Sequence, residues 1–250
     1  MKKTFYILIS IVLYACNGDK VPDCFQNSGD IIQQEFQVEP FSKITVYERI
    51  ELIVTQDPTT KVVVETGEYL MNDIKASVEE GRLILKNENG CNLTRDYGIT
   101  KIYVSAPNLT EIRNSSGLAV NSNGVLNYPS LNLVSEDFNE ENAYHTDGDF
   151  KLQVNCTSMK VTTNNLSNIF ISGTVTDLTI GFYSGDGRFE GANLIAQNIT
   201  IFQRSSNDMI LNPQQSITGE IRGTGDVILK NEPPIVNVQQ FYTGHLIIQN

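Results

Sequence analysis

Short apolar runs alternate with Asn, Gly, Ser, Thr and Asp along most of this 250-residue chain, and the 3.6-residue apolar period of an amphipathic helix is nearly absent. Only residues 68–74, Glu-Tyr-Leu-Met-Asn-Asp-Ile, could wind a turn or two of helix. Elsewhere the polar breaks and the two-residue alternation predict many short strands. In the first half these fall at 43–47, 50–55, 61–65, 75–78, 82–86 and 101–105. Glu80-Gly81 separates 74–79 from 82–86, the spacing of a tight hairpin, so this half is expected to hold some antiparallel pairing.

The second half repeats itself. A polar residue followed by apolar positions recurs in Asn168-Ile-Phe-Ile, Gly187-Arg-Phe-Glu, Asp208-Met-Ile-Leu, Asp226-Val-Ile-Leu and His245-Leu-Ile-Ile, at steps of 19, 21, 18 and 19 residues. A second track, starting at Asp177, Asn198, Ser216 and Asn237, steps by 21, 18 and 21. Two tracks sharing a period near 20 residues predict an all-β, right-handed parallel β-helix-like solenoid. Each turn of chain buries its apolar positions only by lying on its neighbours, which stacks Ile171, Leu211, Leu229 and Ile248. The decisive expectation is that 208–211 and 226–229 run parallel and side by side. Gly117-Leu-Ala-Val and Asn142-Ala-Tyr are read as earlier turns, 25 residues apart. The alternative is a β-sandwich, whose strands also recur evenly. The last strand, near 245–249, has no evident polar cap and is a place for self-association.

The start of the chain sets its address. Lys2 and Lys3 precede an apolar stretch from Phe5 to Leu13, too short for the roughly 20 residues that span a bilayer, so residues 1–15 read as an export signal. Leu13-Tyr-Ala-Cys16 resembles the lipobox of bacterial lipoproteins, which implies acylation of Cys16 and anchorage to a membrane; an ordinary secretory signal is the alternative. Residues 16–35 then read as the lipidated cysteine and a tether, and 36–250 as the folded domain. Asn17, rather than Asp, after the cysteine favours the outer membrane, facing the periplasm or the surface.

Net charge is −11, and −13 without residues 1–15, since loss of Lys2 and Lys3 leaves 16 basic against 29 acidic residues. That balance argues against a nucleic-acid partner. An exported chain meets an oxidising compartment, so a Cys24–Cys91 disulfide is expected. Cys156 shares parity with Leu152 and Val154 and reads as a buried thiol. A catalytic thiol is the sharper alternative, but no neighbouring base supports it.

The residues also resemble a family. Phe41-Ser-Lys-Ile-Thr-Val-Tyr, Ile50-Glu-Leu-Ile-Val-Thr-Gln and Asn87-Glu-Asn-Gly-Cys-Asn-Leu, with Gly223-Thr-Gly-Asp-Val, Asn231-Glu-Pro-Pro and Thr243-Gly-His-Leu, are similar to the head-GIN domain family of autotransporter adhesin heads, found in exported lipoproteins of Bacteroidetes-type bacteria. The likeness spans residues 36–250 and is weakest over 131–165. It implies a β-helix-like fold and an adhesin-like, non-catalytic interaction module with a protein or glycan partner. It supplies no catalytic residue and no cofactor.

Enzyme motifs are mostly missing: there is no Gly-x-Ser-x-Gly, His-Glu-x-x-His, Cys-x-x-Cys or phosphate-binding loop, and the two histidines, His145 and His245, have no marked partner. The best chemical candidate is the acidic segment Glu136, Asp137, Glu140, Glu141, Asp147 and Asp149, beside Tyr144 and His145. On a β-helix such carboxylates could serve a polysaccharide lyase or glycosidase, with Asp137, Glu140 and Glu141 as the acid and base. The Asp-Gly-Asp at 147–149 and Asp186 between two glycines hint at calcium, although tight turns explain them as well. Trp is absent, so a sugar platform would need Tyr128, Tyr144, Tyr183 or Tyr242.

Overall fold

A computed structural model describes residues 24–93, 95–139 and 143–249. The expected export signal, Cys16, Glu140, Glu141 and Asn142 lie outside the described residues.

The chain forms β1 (Ile31–Phe36), β2 (Lys43–Val46), β3 (Glu51–Gln56), β4 (Lys61–Gly67), β5 (Ile74–Glu79), β6 (Arg82–Asn87), β7 (Lys101–Ala106), β8 (Glu111–Asn114) and β9 (Val120–Leu126). Then follow β10 (Ser130–Ser135), β11 (Phe150–Thr163), β12 (Ile169–Phe182), β13 (Phe189–Gln203), β14 (Met209–Ile221), β15 (Val227–Leu229), β16 (Ile235–Gln240) and β17 (Leu246–Ile248). The helical stretch expected near 68–74 is one 3-10 turn, Met71–Asp73. All seventeen strands join one mixed sheet.

Pairing sorts the strands into two stacks. The first runs β1, β4, β7, β3, β9, then the leading halves of β11 to β14, then β15 and β17. The second runs β5, β6, β2, β8, β10, then the trailing halves of β11 to β14, then β16. Antiparallel pairs are confined to β1–β4, β4–β7 and β5–β6; the others are parallel, which an antiparallel sandwich does not provide. The expected hairpin is present: Glu80 and Gly81 both take positive φ, 49° and 74°, matching the twist of a two-residue turn.

Each long strand serves both stacks by turning a corner. In β11, Phe150, Leu152, Val154 and Cys156 point inward, Thr157 and Ser158 are both exposed, and Met159, Val161 and Thr163 point inward again. Skipping one beat of the alternation rotates the chain without reversing it, so inward residues of both stacks meet in one core. Val154, Val175 and Ala196 belong to it from the first stack, and Met159, Leu178, Ile199 and Ile217 from the second.

The decisive pairing holds: Met209, Ile210 and Leu211 lie parallel to Val227, Ile228 and Leu229. Two registers differ from the sequence reading. Ile169 pairs with Phe189, so Arg188 and not Gly187 matches Asn168; fully buried Phe189 sets the register by filling the core. Ile217 pairs with Val236, so the second track steps by 19 at its end rather than 21. The slip of two preserves face parity, which is why the pattern hides it. The earlier turns also differ. Val120 pairs with Phe150, a step of 30 residues, and Ala143 and Tyr144 lie in a turn rather than a strand. Ile248 stacks on Leu229 as expected but is 40% exposed, because no strand covers the far side of β17 within the described residues.

The tether boundary needs correction. Residues 31–36 form β1 on the edge of β4, and Gln26 is buried, so the folded part begins well before residue 36. The disulfide between Cys24 and Cys91 pins this segment to the 88–99 loop.

The polar residues of the two repeat tracks have a structural job. At the entry to the first stack, Asp149 Oδ1 accepts the Asn168 N–H (3.0 Å), Asn168 Oδ1 that of Arg188 (3.2 Å), Asp208 Oδ1 that of Asp226 (3.0 Å), and Asp226 Oδ1 that of His245 (2.8 Å). At the corner, Asn198 bridges Asp177 and Ser216 through its amide side chain. These ladders satisfy backbone and side-chain groups that turns leave without strand partners. Asp226→Ala is expected to cost about 1–2 kcal/mol and to speed hydrogen exchange at the His245 amide selectively. Unchanged exchange there would show that water replaces the carboxylate.

Candidate functional site

The side chains that carry chemistry form a ridge on the outside of the second stack. At its N-terminal end Lys86 Nζ lies 5.2 Å from the centre of the Tyr47 ring, Tyr47 stacks on Tyr144 at 6.0 Å, and the Arg113 guanidinium sits 4.3 Å from the Tyr144 ring centre. Arg113 continues the chain of contacts. It donates to the Glu136 backbone carbonyl and to Glu136 Oε1, both at 2.6 Å, while Glu136 Oε2 accepts the Phe138 N–H at 2.8 Å. That hydrogen bond turns Phe138 against Tyr183, edge to face at 5.2 Å, and Tyr183 stacks on Phe202 at 5.0 Å.

The register explains the C-terminal part of the ridge. The residue that leaves the second stack donates its N–H to the turn below: Tyr183 to Thr163, Arg204 to Phe182, Arg222 to Gln203 and Phe241 to Ile221. Tyr183, Arg204, Arg222 and Phe241 therefore stand in one column, one turn apart. The Arg222 guanidinium lies 4.0 Å from the Phe241 ring centre and its Nε is ion-paired with Glu220. Arg204 is exposed and has no ion pair among the described residues. Phe202, Arg204, Glu220, Arg222, Phe241 and Tyr242 line an open groove of about 530 Å³.

The candidates from the sequence are dispersed along this ridge or away from it. Glu136 is a buried ion-pair partner, and Asp137 Oδ1 accepts from Asn164 Nδ2 at 2.6 Å; Glu140 and Glu141, the other two acid–base candidates, lie outside the described residues. Arg113, Glu136, Asp137, Asn139 and Tyr144 line a cavity of about 130 Å³. His145 meets Glu48 at 3.3 Å. The calcium candidates separate. Asp149 accepts both the backbone N–H and the side-chain amide of Asn168, Asp186 accepts the Ser206 hydroxyl at 2.6 Å, and Asp147 faces Gly117, whose φ is 72°. No three His, Cys, Asp or Glu side chains converge as a metal site among the described residues.

Of the four tyrosines, Tyr128 is not a platform: it is fully buried, its hydroxyl donates to the Ala106 carbonyl at 3.2 Å, and burial pushes its pKa up. Tyr144, Tyr183 and Tyr242 all lie on the ridge. Sequence reasoning missed Tyr47, Arg113, Phe138, Phe202, Arg204, Arg222 and Phe241. A usable signal existed for the column, because Tyr183, Arg204, Arg222 and Phe241 are spaced by 21, 18 and 19 residues, the same steps as the corrected corner track.

Cys156 is buried beneath Tyr128, and burial pushes its pKa up to about 11 despite a hydrogen bond with the Tyr128 backbone. A thiol this protonated near neutral pH is a poor nucleophile. In a Cys16→Ser chain at pH 8, iodoacetamide is expected to label no cysteine when folded and one in denaturant. Rapid labelling of the folded chain would refute the buried placement.

Among solved structures, a putative adhesin from Bacteroides fragilis superposes with a TM-score of 0.79 at 19% identity, covering 89% of this chain and 99% of that one. A putative lipid binding protein from Parabacteroides distasonis gives 0.62 at 16%, covering 89% and 98%. A putative adhesin from Parabacteroides merdae gives 0.59 at 13%, covering 94% and 98%. No curated protein matches the chain. Residues 40–233 match the family described as "Putative auto-transporter adhesin, head GIN domain", and the chain belongs to that family.

Proposed function

We propose that this protein is an exported lipoprotein, acylated at Cys16 and held on the outer membrane, whose folded part is an adhesin-like interaction module without catalysis. Its fold is read as a right-handed parallel β-solenoid with an irregular N-terminal end. The parallel pairing of β11 to β14, interrupted by local register shifts, supports that reading. The single observation that carries the function is the ridge. A stiff stack of strands holds exposed Phe138, Tyr183, Phe241 and Tyr242 at fixed spacing along one side. Rigid aromatic and guanidinium groups give contact area at low entropic cost, as a recognition surface requires. Family membership and neighbours named as adhesins support the same role.

The test is adhesion by cells displaying the full chain. They should bind immobilised mucin or extracellular-matrix glycoproteins above control cells, and Tyr183→Ser with Phe202→Ser should remove most of that binding while thermal stability shifts little. Cys16→Ser should abolish palmitate labelling and release the protein from membranes. Adhesion equal to control cells, or turnover of a polysaccharide by the purified chain, would overturn the proposal.

A further inference from the structure

The groove at the C-terminal end of the ridge has features that general adhesion does not require. In the direction of stacking, across the strands, its floor sets two guanidinium groups, Arg204 and Arg222, side by side with the Phe241 ring next to them. Neighbouring turns of chain are spaced by roughly 4.8 Å, the separation of paired strands. Phe202 and Glu220 pair across adjacent turns, and Arg204, Arg222 and Phe241 follow in the next column. The two arginines differ in what holds them. Arg222 is fixed from two sides, by Glu220 at its Nε and by the Phe241 ring beneath its plane, which leaves its terminal nitrogens without a protein partner among the described residues. The Arg204 side chain is exposed and takes part in no hydrogen bond or ion pair among the described residues, only its backbone N–H being bonded, to Phe182. With Glu220 as the only acidic lining residue, the groove carries a net positive charge on a chain whose overall charge is −11.

Resting on the recognition role above, we infer that this groove binds an anionic saccharide, a sugar chain bearing carboxylate or sulfate groups. The apolar face of a pyranose ring stacks on Phe202, Phe241 or Tyr242, where exposure of 51% at Phe241 and 64% at Tyr242 leaves the rings open to contact. The acidic substituents meet Arg204 and the free end of Arg222, whose planar donors match a carboxylate or sulfate in a bidentate way. Direction separates a sugar chain from a peptide. A peptide adding to the sheet would run beside β16, parallel to the strands, and would use main-chain hydrogen bonds. The two arginines and the Phe241 ring instead follow one another from turn to turn. The neutralised, ring-supported Arg222 acts as the fixed anchor, and the unpaired Arg204 supplies the excess charge that selects acidic sugars.

Calorimetry on the purified full-length chain tests this with four probes: a hexamer of galacturonic acid, a heparin hexasaccharide, cellohexaose and an acidic peptide of six glutamates. At least one acidic sugar is expected to bind tenfold or more tighter than both cellohexaose and the peptide, and whichever binds better assigns carboxylate or sulfate. Raising salt should weaken that binding. Arg204→Ala, an exposed change that leaves the melting temperature in place, should reduce affinity about tenfold, and Phe241→Ala should reduce it without altering the salt dependence. Equal binding of the peptide, equal binding of cellohexaose, no binding of either acidic sugar, or an Arg204→Ala chain with wild-type affinity would each overturn the inference. If displayed cells still adhere through the ridge while acidic sugars fail to bind, this inference falls alone; if adhesion is also absent, the recognition role falls with it.

Discussion

Gly219→Ala is expected to cost about 4 kcal/mol, far more than alanine at Gly81. Gly219 sits within β14 with φ of +130°, a backbone region closed to other residues by their own Cβ. A Cβ there would also lie 2.0 Å from the Ile201 carbonyl oxygen and 2.9 Å from its nitrogen, on the turn of chain below. Those are backbone atoms of a paired strand and cannot rotate aside, so the stack would have to open where Ile201 pairs with Gly219. Gly81 provides the contrast. Its φ is +74° but nothing stands within 4 Å of its would-be Cβ, so Gly81→Ala should cost only about 1 kcal/mol of backbone strain. Urea unfolding of the two variants separates the terms. A Gly219→Ala chain within about 1 kcal/mol of the parent would mean that turns are not in close contact there.

Arg113→Met is expected to destabilise the protein by about 3 kcal/mol, near the lower end for breaking a buried ion pair because both groups keep some solvent contact. The Arg113 and Glu136 side chains are 17% and 12% exposed. Removing the guanidinium leaves a largely desolvated carboxylate, cuts the hydrogen bond to the Glu136 carbonyl and takes the cation off the Tyr144 ring. The loop that carries Asp137 and Phe138 then loses its main tie, so the ridge should break between Tyr144 and Tyr183. A chain carrying both Arg113→Met and Glu136→Met should be more stable than Arg113→Met alone, since the stranded charge has gone with its partner. A double-mutant cycle with coupling below about 0.5 kcal/mol would place this pair with ordinary surface bridges.

The residues that were legible from sequence are those whose environment repeats at a fixed step. From β11 onward each turn follows the last, so Leu211, Leu229 and the residues beside them face one core at steps near 20, and the alternation is visible without coordinates. Upstream the signal fades for a topological reason. β2 lies between β6 and β8, and β3 between β7 and β9, so the first turn of chain is inserted between two later ones. Spatial neighbours there are separated by irregular stretches, and no single period can record them. The strands themselves were still found, because alternation is a local property.

The candidate site divides in the same way. The acidic segment was conspicuous by composition, yet its carboxylates are used to hold the loop: Glu136 by Arg113, from 23 residues upstream, and Asp137 by Asn164. Composition records which charges exist and says nothing of their partners. The ridge drew residues such as Tyr47, Tyr144 and Arg113 from separate turns of the chain, so no local motif contained it.

Taken by itself, the chain's residue pattern determined that the protein is all-β, where most strands begin and end, which faces of them are apolar, and the parallel register of 208–211 on 226–229. Tertiary structure alone decided the order of the N-terminal turns, the one- and two-residue register corrections, and the assembly of the ridge. The physical reason is range: strand formation and face choice follow from side chains a few residues apart, whereas pairing partners and stacked rings follow from core filling between segments tens of residues apart.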